Sequence, residues 1–317
     1  MIKPRQLHKG DTVGVIAPAS PPDLNRLEKA ISFLESLGVK VELGSHLSDT
    51  YGYLAGKDDD RLADLHYMFE NPEIKAVISA GGGYGTSRIA GSINYRLIEN
   101  NPKIFWGYSD LTFLHTAIRQ KTGLITFHGP MLCSDVGKEN FDSVSKQMFD
   151  QLFHPQELRY SEDISPLVTV SEGKAAGEIV GGNLSLLVNS LGTPYELDTN
   201  NRLLFIEDIG EEPYRIDSFL CQLQLAGKLE EAAGVIIGDF SDSEPVKRRE
   251  SLPLEEVWNH YFASLEKPVV SGFKMGHCLP HFAIPLGAEA ELCAYSQTLS
   301  IEPGVTGKEA NDENPKN

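Results

Sequence analysis

The sequence predicts an α/β fold in two parts, and three features of its 317 residues support this prediction. Short apolar runs rich in β-branched residues alternate with segments of helical periodicity in the first half of the chain. Such alternation is typical of βαβ units, in which a parallel sheet carries helices on both faces. The alternation stops over residues 156–174 and resumes afterwards. The length also fits two domains of about 150 residues each.

Five apolar runs predict the strands of the first part: residues 12–17, 39–43, 76–80, 103–106 and 124–127. A helix is expected after the first run, with Ser20 as its cap and Gly38 as its end. Residues 59–69 place Leu62, Leu65 and Phe69 on one helical face. Another helix follows residue 110, and Gly123 ends it.

The second part repeats the alternation with shorter strands. Predicted strands are residues 203–206, 235–237 and 268–270, followed by short alternating strands over residues 284–302. Helical periodicity covers residues 183–191 and a segment that begins at Pro213 and ends at Gly227. We therefore expect a first domain over residues 1–155, a connection over 156–174, a second domain over 175–305 and a flexible tail over 306–317.

The charge of the chain excludes several classes of partner. Asp and Glu number 45 against 28 Lys and Arg, which gives a formal net charge of −17. Nucleic-acid binding needs concentrated positive charge, and the basic run at residues 247–249 lies among acids. We therefore expect neither nucleic acid nor a membrane surface as a partner. No apolar run reaches the length of a membrane span or of a signal-peptide core, so a cytoplasmic location is expected.

The four cysteines are scattered, without a CxxC pair. This spacing favours neither a zinc site nor a disulfide framework. No HExxH motif is present either, so no metal is expected. Glycine loops that bind nucleotide cofactors need spacings that residues 81–86 do not provide, and no cofactor is expected.

A candidate nucleophile lies in the sequence GYSD at residues 107–110, between a predicted strand and a predicted helix. The segment resembles the turn that presents the nucleophile of serine hydrolases, although the second glycine of G-x-S-x-G is absent. The N–H of Asp110, at the start of the helix, is placed to stabilise an oxyanion. Alternatively, Ser109 only caps the helix.

A second candidate is the glycine loop of residues 81–85, with the sequence GGGYG, which also follows a predicted strand. Glycine allows backbone N–H groups to approach a ligand closely. The loop therefore suits an anion cradle or the second donor of an oxyanion hole. A plain turn is equally compatible with this composition.

Acids and histidines that follow the strands of the second part supply the remaining candidates. Glu207 comes directly after four apolar residues, and Asp208 and Asp239 are placed in a similar way. Each is a candidate to orient a histidine. His277 is the candidate general base because the pKa of imidazole is close to neutrality. His115, His128 and His281 are rival candidates for this role.

Taken together, these segments resemble the LD-carboxypeptidase family of serine peptidases, which includes the microcin C self-immunity peptidases. The matching segments, in order, are VIAPAS (15–20), GGYG (82–85), GYSD (107–110), GGNL (181–184), IED (206–208) and GH (276–277). Each segment alone is weak evidence, but the six segments occur in the family's order and extend over nearly the whole chain. The resemblance implies a Rossmann-like N-terminal domain with a parallel sheet and a smaller, β-rich α/β C-terminal domain.

The resemblance also implies a catalytic triad of Ser109 as nucleophile, His277 as base and then acid, and Glu207 as the group that orients His277. The first domain supplies the serine, and the second supplies the glutamate and the histidine. The backbone N–H groups of Asp110 and Gly83 would form the oxyanion hole.

Substrate binding is expected at Gly82, Tyr84, Asn183 and Arg88. Many members of the family carry Arg at the position of Gly81, and its absence here leaves open which residue holds a substrate carboxylate. Arg88, Arg96 and Arg215 are the candidates.

These implications predict a serine carboxypeptidase that cleaves the L,D-peptide bond of a murein tetrapeptide and releases D-Ala during cell-wall recycling, and that forms a homodimer. A rival hypothesis is a self-immunity peptidase that acts on a peptide–nucleotide conjugate. Such a pocket needs an aromatic platform, and the two tryptophans, Trp106 and Trp258, are both predicted in regular elements. Two further hypotheses are a non-catalytic protein that binds acidic peptides or nucleotides and a metal-dependent hydrolase.

Overall fold

The computed structural model of the chain describes residues 1–247 and 250–307. It divides into two compact units, residues 1–156 with the described residues from Pro303 onward, and residues 157–302. Thr306, where the predicted tail begins, is held by two backbone hydrogen bonds, to Pro4 at 2.9 Å and from Gln6 at 3.0 Å. The rest of that tail from residue 308, and Arg248 and Arg249 of the basic run, lie outside the described residues.

The first unit contains a parallel sheet. Its strands are β1 (Thr12–Ile16), β2 (Lys40–Leu43), β3 (Ile74–Ser79), β4 (Ile104–Gly107) and β5 (Thr126–His128). They are arranged in the order β5-β4-β3-β1-β2, and each neighbouring pair is parallel. All five predicted strands are therefore present, with ends displaced by one or two residues.

Helices connect these strands. They are α1 (Leu27–Ser36), α2 (Asp58–Glu70), α3 (Thr86–Ile89), α4 (Tyr95–Asn100), α5 (Thr112–Thr122) and α6 (Ser143–Gln147). Short 3-10 or π turns occupy Leu24–Arg26, Ala90–Ser92, Ser109–Leu111, Leu132–Val136 and Met148–Leu152. α5 ends at Gly123, as predicted, because that residue adopts a left-handed conformation with φ of 74°.

Two details of these helices differ from the prediction. Asp23, rather than Ser20, caps the turn before α1, and its carboxylate accepts from the N–H of Asn25. The hydroxyl of Ser20 instead contacts the glycine loop of residues 81–85. In α2, Leu62 is only half-buried, and the buried face includes the charged residues Arg61 and Asp64.

The second unit contains a mixed sheet of eight strands. The strands of this part of the chain are β6 (Leu158–Tyr160), β7 (Val168–Ser171), β8 (Lys174–Asn183), β9 (Leu203–Ile209), β10 (Gly234–Ser241), β11 (Val269–Ser271), β12 (Ile284–Leu286), β13 (Glu289–Cys293) and β14 (Thr298–Ile301). All of them except β12 belong to the eight-stranded sheet. The sheet order is β6-β14-β13-β8-β9-β10-β11-β7. The central strands β8, β9, β10 and β11 are parallel, and antiparallel strands flank them on both sides.

The helices of the second unit are α7 (Leu184–Ser190), α8 (Pro213–Leu225), α9 (Lys228–Glu231) and α10 (Leu254–Phe262). Each unit has its own apolar core. Phe105, Leu114 and Ile118 belong to the first core, and Leu204, Ile206 and Leu220 to the second. Complete burial of such a side chain contributes roughly 1.5–3 kcal/mol. The predicted fold class, a parallel α/β unit followed by a β-rich α/β unit, is confirmed.

The predicted connection over residues 156–174 differs from the structure, since it contains β6 and β7. These strands form the two edges of the eight-stranded sheet and are three and four residues long. An edge strand has one neighbour and needs few apolar residues, so its periodicity is weak. Within residues 1–247 and 250–307, no helix is both long enough and apolar enough to span a membrane.

Candidate active site

Ser109 lies at the carboxyl end of β4, on a turn of unusual backbone conformation. Its φ is +63°, a value that residues other than glycine adopt infrequently. Such a conformation costs on the order of 1–3 kcal/mol, and residues that adopt it cluster at active sites and ligand-binding sites. Ser109 begins a 3-10 turn that leads into α5, and its side chain is half-buried. This strand–turn–helix arrangement matches the context in which serine hydrolases present their nucleophile.

The glycine loop of residues 81–85 lies beside Ser109. A Cβ atom added to Gly82 would lie 3.1 Å from Cβ and 3.3 Å from Oγ of Ser109. The carbonyl of Gly82 accepts a hydrogen bond from the N–H of Ser20 at 3.1 Å. In a planar trans peptide the C=O and N–H groups point in opposite directions, so the N–H of Gly83 points away from Ser20. Two of the predicted residues, Ser109 and Gly82, are thus brought into contact.

The hydroxyl of Ser20 holds the same loop from the other side. It accepts from the N–H of Tyr84 at 3.1 Å. Gly83 has φ of +109°, and a Cβ atom at this residue would lie 2.4 Å from the Ser20 hydroxyl. Position 83 therefore requires glycine for two reasons, its backbone conformation and the close approach of Ser20.

Asp110 is buried, and its carboxylate accepts from the N–H of Thr86 at 2.9 Å. The hydroxyl of Thr86 in turn donates to the carbonyl of Asp110 at 2.6 Å. Burial raises the pKa of Asp110 above its ordinary value, which the bonds from Thr86 oppose. The first residue of α3 is thus attached to the residue that follows Ser109.

His115 supports the turn from within α5. Its Nε2 lies 2.8 Å from the carbonyl of Gly107, and its ring packs edge-on against Phe105. A carbonyl only accepts, so Nε2 carries the proton. Complete burial lowers the pKa of His115 to about 3, which keeps the ring neutral. These contacts assign His115 to support of the turn rather than to proton transfer.

In the second unit, Glu207 and His277 form a hydrogen-bonded pair. Nδ1 of His277 lies 2.8 Å from Oε2 of Glu207, whose side chain is fully buried. Because a carboxylate only accepts, Nδ1 carries a proton, and in the neutral imidazole Nε2 then keeps its lone pair. His277 is 13% exposed. This geometry is that of a general base oriented by an acid.

Glycine backbone covers the carboxylate of Glu207. A Cβ atom added to Gly276 would lie 2.5 Å from Oε2 of Glu207, and one added to Gly238 would lie 3.2 Å from its Cβ. The hydroxyl of Ser241 donates to the carbonyl of His277 at 2.8 Å. His277 is therefore held through its backbone as well as its ring, and glycine backbone packs against the side chain of Glu207.

Asp208 and Asp239, the two other candidates to orient a histidine, have other partners. Asp208 accepts from the side chain of Asn183 and from the N–H of Ser185, both at 2.9 Å, and so holds the start of α7. Burial, and then the neighbouring Glu207, raise the pKa of Asp208 to about 6. Asp239 forms an ion pair with Lys274 at 2.8 Å. β9 extends through Glu207 and Asp208 to residue 209, beyond the predicted end at residue 206.

The histidines at 128 and 281 are both buried. The ring of His128 packs edge-on against Tyr108, with centroids 5.5 Å apart. The hydrogen bond from His277 to a buried carboxylate favours His277 as the base.

The residues predicted to bind substrate occupy different settings. Asn183 is buried, and its carbonyl oxygen caps α7. Tyr84 is 48% exposed, and its ring packs edge-on against Tyr53 with centroids 5.6 Å apart. Arg88 is exposed and forms an ion pair with Asp58 at 2.8 Å, which holds its guanidinium near the tyrosines.

Two more arginines are candidates to hold a substrate carboxylate. Arg96 is exposed on α4. Arg215 pairs with Glu211 at 3.4 Å and lies over the ring of Phe219. A Cβ atom added to Gly81 would lie 3.2 Å from the hydroxyl of Ser134, so a side chain at this position would require Ser134 to shift slightly.

The sequence prediction omitted Arg61, a buried arginine on α2 whose side chain contacts the glycine loop. The sequence nevertheless indicates that Arg61 is unusual. Arg61, Leu65 and Met68 follow helical spacing, so a charged residue occupies the buried stripe of the helix. A charge at such a position needs dedicated partners.

Among residues 1–247 and 250–307, one group of side chains could approach a metal ion. His46, Asp49 and Asp60 place their ligand atoms within 4.8 Å of one another. Internal hydrogen bonds already account for this arrangement. Nδ1 of His46 lies 2.8 Å from Asp49, and Asp60 accepts from the N–H of Lys57 at 2.9 Å.

Comparison with known proteins identifies the family. Residues 13–129 match the model of the LD-carboxypeptidase N-terminal domain, and residues 176–292 match that of the LD-carboxypeptidase C-terminal domain. The chain is 56% identical over 304 residues to the probable murein peptide carboxypeptidase of Bacillus subtilis, and the match covers 96% of this chain and 95% of the relative.

Solved structures agree with this match. The structure of the microcin C7 self-immunity protein MccF with glutamyl sulfamoyl guanosine aligns with a TM-score of 0.87 and 26% identity, over 95% of this chain and 98% of the other. The muramoyltetrapeptide carboxypeptidase of Oxalobacter formigenes aligns with a TM-score of 0.82 and 28% identity, over 93% and 100%. The resemblance seen in the sequence motifs is confirmed, and the chain belongs to the LD-carboxypeptidase family.

Proposed function

We propose that this chain is a serine carboxypeptidase that cleaves the bond between an L-centre and a C-terminal D-residue, with Ser109, His277 and Glu207 as its catalytic triad. The observation that carries the proposal is the hydrogen bond from Nδ1 of His277 to the buried carboxylate of Glu207. The strained backbone of Ser109, beside a glycine loop, supports its role as nucleophile.

The reaction proceeds through an acyl-enzyme. Oγ of Ser109 attacks the carbonyl carbon of the scissile bond as its proton moves to Nε2 of His277. The N–H groups of Asp110 and Gly83 stabilise the oxyanion of the tetrahedral intermediate. The C–N bond then breaks, and His277 returns the proton to the amine that leaves. A water molecule, deprotonated by His277, hydrolyses the ester and restores the serine.

A murein tetrapeptide, which would release D-Ala, is the proposed substrate. The support is the 56% identity with the probable murein peptide carboxypeptidase, which extends over nearly both whole chains. We place the activity in the cytoplasm, in the recycling of cell-wall peptides, and propose that the chain acts as a homodimer. The four free cysteines fit a reducing compartment.

Product analysis tests the proposal. Wild-type protein incubated with a murein tetrapeptide should yield the tripeptide and free D-Ala by mass spectrometry. Ser109→Ala should lose turnover by about 10⁴-fold or more while its Tm is retained. Ser134→Ala, which removes another hydroxyl near the glycine loop, should retain activity. Cleavage by Ser109→Ala at the wild-type rate would contradict the assignment.

A second candidate is a self-immunity peptidase that acts on a peptide–nucleotide conjugate. The specific observation in its favour is the TM-score of 0.87 with MccF bound to glutamyl sulfamoyl guanosine. Trp106 is fully buried and Trp258 is 8% exposed, so neither indole offers a free platform for a base. Competition between a murein tetrapeptide and an aminoacyl sulfamoyl nucleoside in one assay distinguishes the two activities by their kcat/KM values.

A fluorophosphonate probe separates both enzymes from a non-catalytic binding protein. The probe should label Ser109 and leave Ser109→Ala unlabelled. Peptide binding without labelling or turnover would instead favour the binding protein.

A further inference from the structure

Arg61 is a buried charge outside the proposed triad. The residue is 1% exposed, and its side chain 0%. A guanidinium in such a position is expensive unless its donors are satisfied by well-placed acceptors. Nη1 donates to the carbonyl of Pro18 at 2.7 Å and to that of Gly85 at 2.9 Å, and Nη2 pairs with Asp58.

The two carbonyls belong to two loops that meet at the candidate oxyanion site. Pro18 precedes Ser20, which bonds the glycine loop through both its N–H and its hydroxyl. Gly85 ends that loop with φ of +131°, and a Cβ atom there would lie 2.7 Å from Nη1 of Arg61. Arg61 therefore links the end of the loop that contains Gly83 to the segment that carries Ser20.

Further hydrogen bonds connect the glycine loop to the residue that follows the candidate nucleophile. Gly85 leads directly into α3, whose first residue, Thr86, bonds both the carboxylate and the carbonyl of Asp110. Asp110 follows Ser109 in the chain. A continuous series of hydrogen bonds and peptide bonds thus runs from the Arg61 guanidinium to the residue whose N–H is one proposed oxyanion donor.

We propose that Arg61 is a positioning residue for the reaction, which keeps the N–H groups of Gly83 and Asp110 in the geometry that a tetrahedral oxyanion requires. This inference rests on the proposed function. The oxyanion develops only in the transition state, so loss of this geometry lowers kcat and changes KM little. Arg61 itself contacts no reacting atom and acts through the loop.

Arg61→Met and Arg61→Lys test the role, with Lys103→Met as the matched control. Lys103 is also a buried cation in the first unit, 7% exposed, that donates to the carbonyls of Met68 at 2.8 Å and Asn71 at 2.5 Å. It lies next to the amino end of β4, whereas Ser109 follows the carboxyl end. Its removal therefore reproduces the loss of a buried charge without a change in the glycine loop.

The measurements are Tm, kcat and KM on a murein tetrapeptide, the rate of fluorophosphonate labelling, and amide hydrogen exchange. We expect kcat of Arg61→Met to fall by about 10²-fold, the loss typical of one oxyanion donor, with KM within about threefold. Amides 81–86 should exchange faster by about tenfold or more. Arg61→Lys keeps the charge but loses the planar fork, so it should recover part of kcat. Lys103→Met should keep kcat and the exchange of amides 81–86.

Three results would overturn the inference. One is wild-type kcat in folded Arg61→Met, and another is an equal loss of kcat in Lys103→Met at a similar Tm. The third is failure of both Arg61 variants to fold, which would limit the residue to stability. If the wild-type chain cleaves no murein tetrapeptide, the proposed substrate fails instead, and the exchange of amides 81–86 still decides the role of Arg61.

Discussion

Nδ1 of His277 lies 2.8 Å from Oε2 of Glu207, and the carboxylate of Glu207 is not accessible to solvent. A buried carboxylate in this position selects one tautomer of the imidazole and stabilises the imidazolium that forms when the ring takes a proton. The orientation of the ring is therefore determined by the sheet that carries Glu207, since the glutamate lies within β9.

Glu207→Gln should lower kcat by about 10³- to 10⁴-fold, since an amide can donate to His277 and favour the wrong tautomer. Steady-state kinetics on the tetrapeptide measure the loss, and circular dichroism verifies the fold. Glu178→Gln serves as the control, because Glu178 pairs with Arg202 at 3.1 Å in the same unit. Full activity of Glu207→Gln would point to Asp208 or Asp239 as the partner of the base.

Asp208→Asn should change the pH dependence of stability. Burial raises the pKa of Asp208 to about 6 from 3.8, so the folded state binds this proton more tightly than the unfolded state. The stability that this proton contributes is complete below pH 3.8 and is lost as the pH rises through 6. Between these two pH values, the free energy of unfolding of the wild type should therefore fall by at most about 3 kcal/mol relative to that of Asp208→Asn.

Urea denaturation of both proteins between about pH 4 and 7 measures this difference. The loss of hydrogen bonds to Ser185 and Asn183 lowers the stability of the variant by an amount that does not depend on pH. The difference in slope between the two plots of unfolding free energy against pH therefore reports the titration of Asp208. Parallel curves for the two proteins would show that Asp208 titrates at its ordinary pKa.

Gly83→Ala should lower kcat because the methyl group would collide with the Ser20 hydroxyl and displace the loop. Gly10→Ala is the matched control, since Gly10 has φ of +92° and nothing within 4 Å of an added Cβ. Both variants should lose about 1 kcal/mol of stability from backbone strain. Kinetics and thermal denaturation of both separate the two effects, and equal kcat values would argue against the oxyanion role of Gly83.

A chelator should leave activity unchanged, because the proposed mechanism takes its nucleophile and base from side chains. The assay compares kcat before and after dialysis against EDTA. His46→Ala removes the histidine of the one group in the described chain that could hold a metal, and it should also retain activity. Loss of activity on chelation, with recovery on addition of Zn²⁺, would favour a metal-dependent hydrolase.

The central strands and long helices were predictable because burial imposes a clear pattern on them. β3 and β4 are buried along most of their length, and α5 ends at a glycine with the expected left-handed conformation. The candidate site was predictable where a residue follows a strand. Ser109 is such a residue, and it lies on the predicted turn between β4 and α5.

Other features depend on contacts between distant residues, and no local pattern specifies those contacts. β6 and β7 gain their conformation from a single neighbouring strand each. Ser20 does not cap α1 because its hydroxyl accepts from Tyr84, 64 positions away. Arg61 contacts Pro18 and Gly85, 43 and 24 positions away, and only the tertiary fold reveals these partners.

The positive φ of Ser109 restricts the amino acids that can occupy its turn. A β-branched side chain is a genuine outlier in this region of backbone space, because its second γ substituent meets the neighbouring peptide groups. Threonine, which carries the same functional group, is therefore disfavoured by the backbone alone. Of the two aliphatic hydroxyl side chains, serine therefore suits this turn better than threonine, so the backbone conformation favours one nucleophile before any substrate binds.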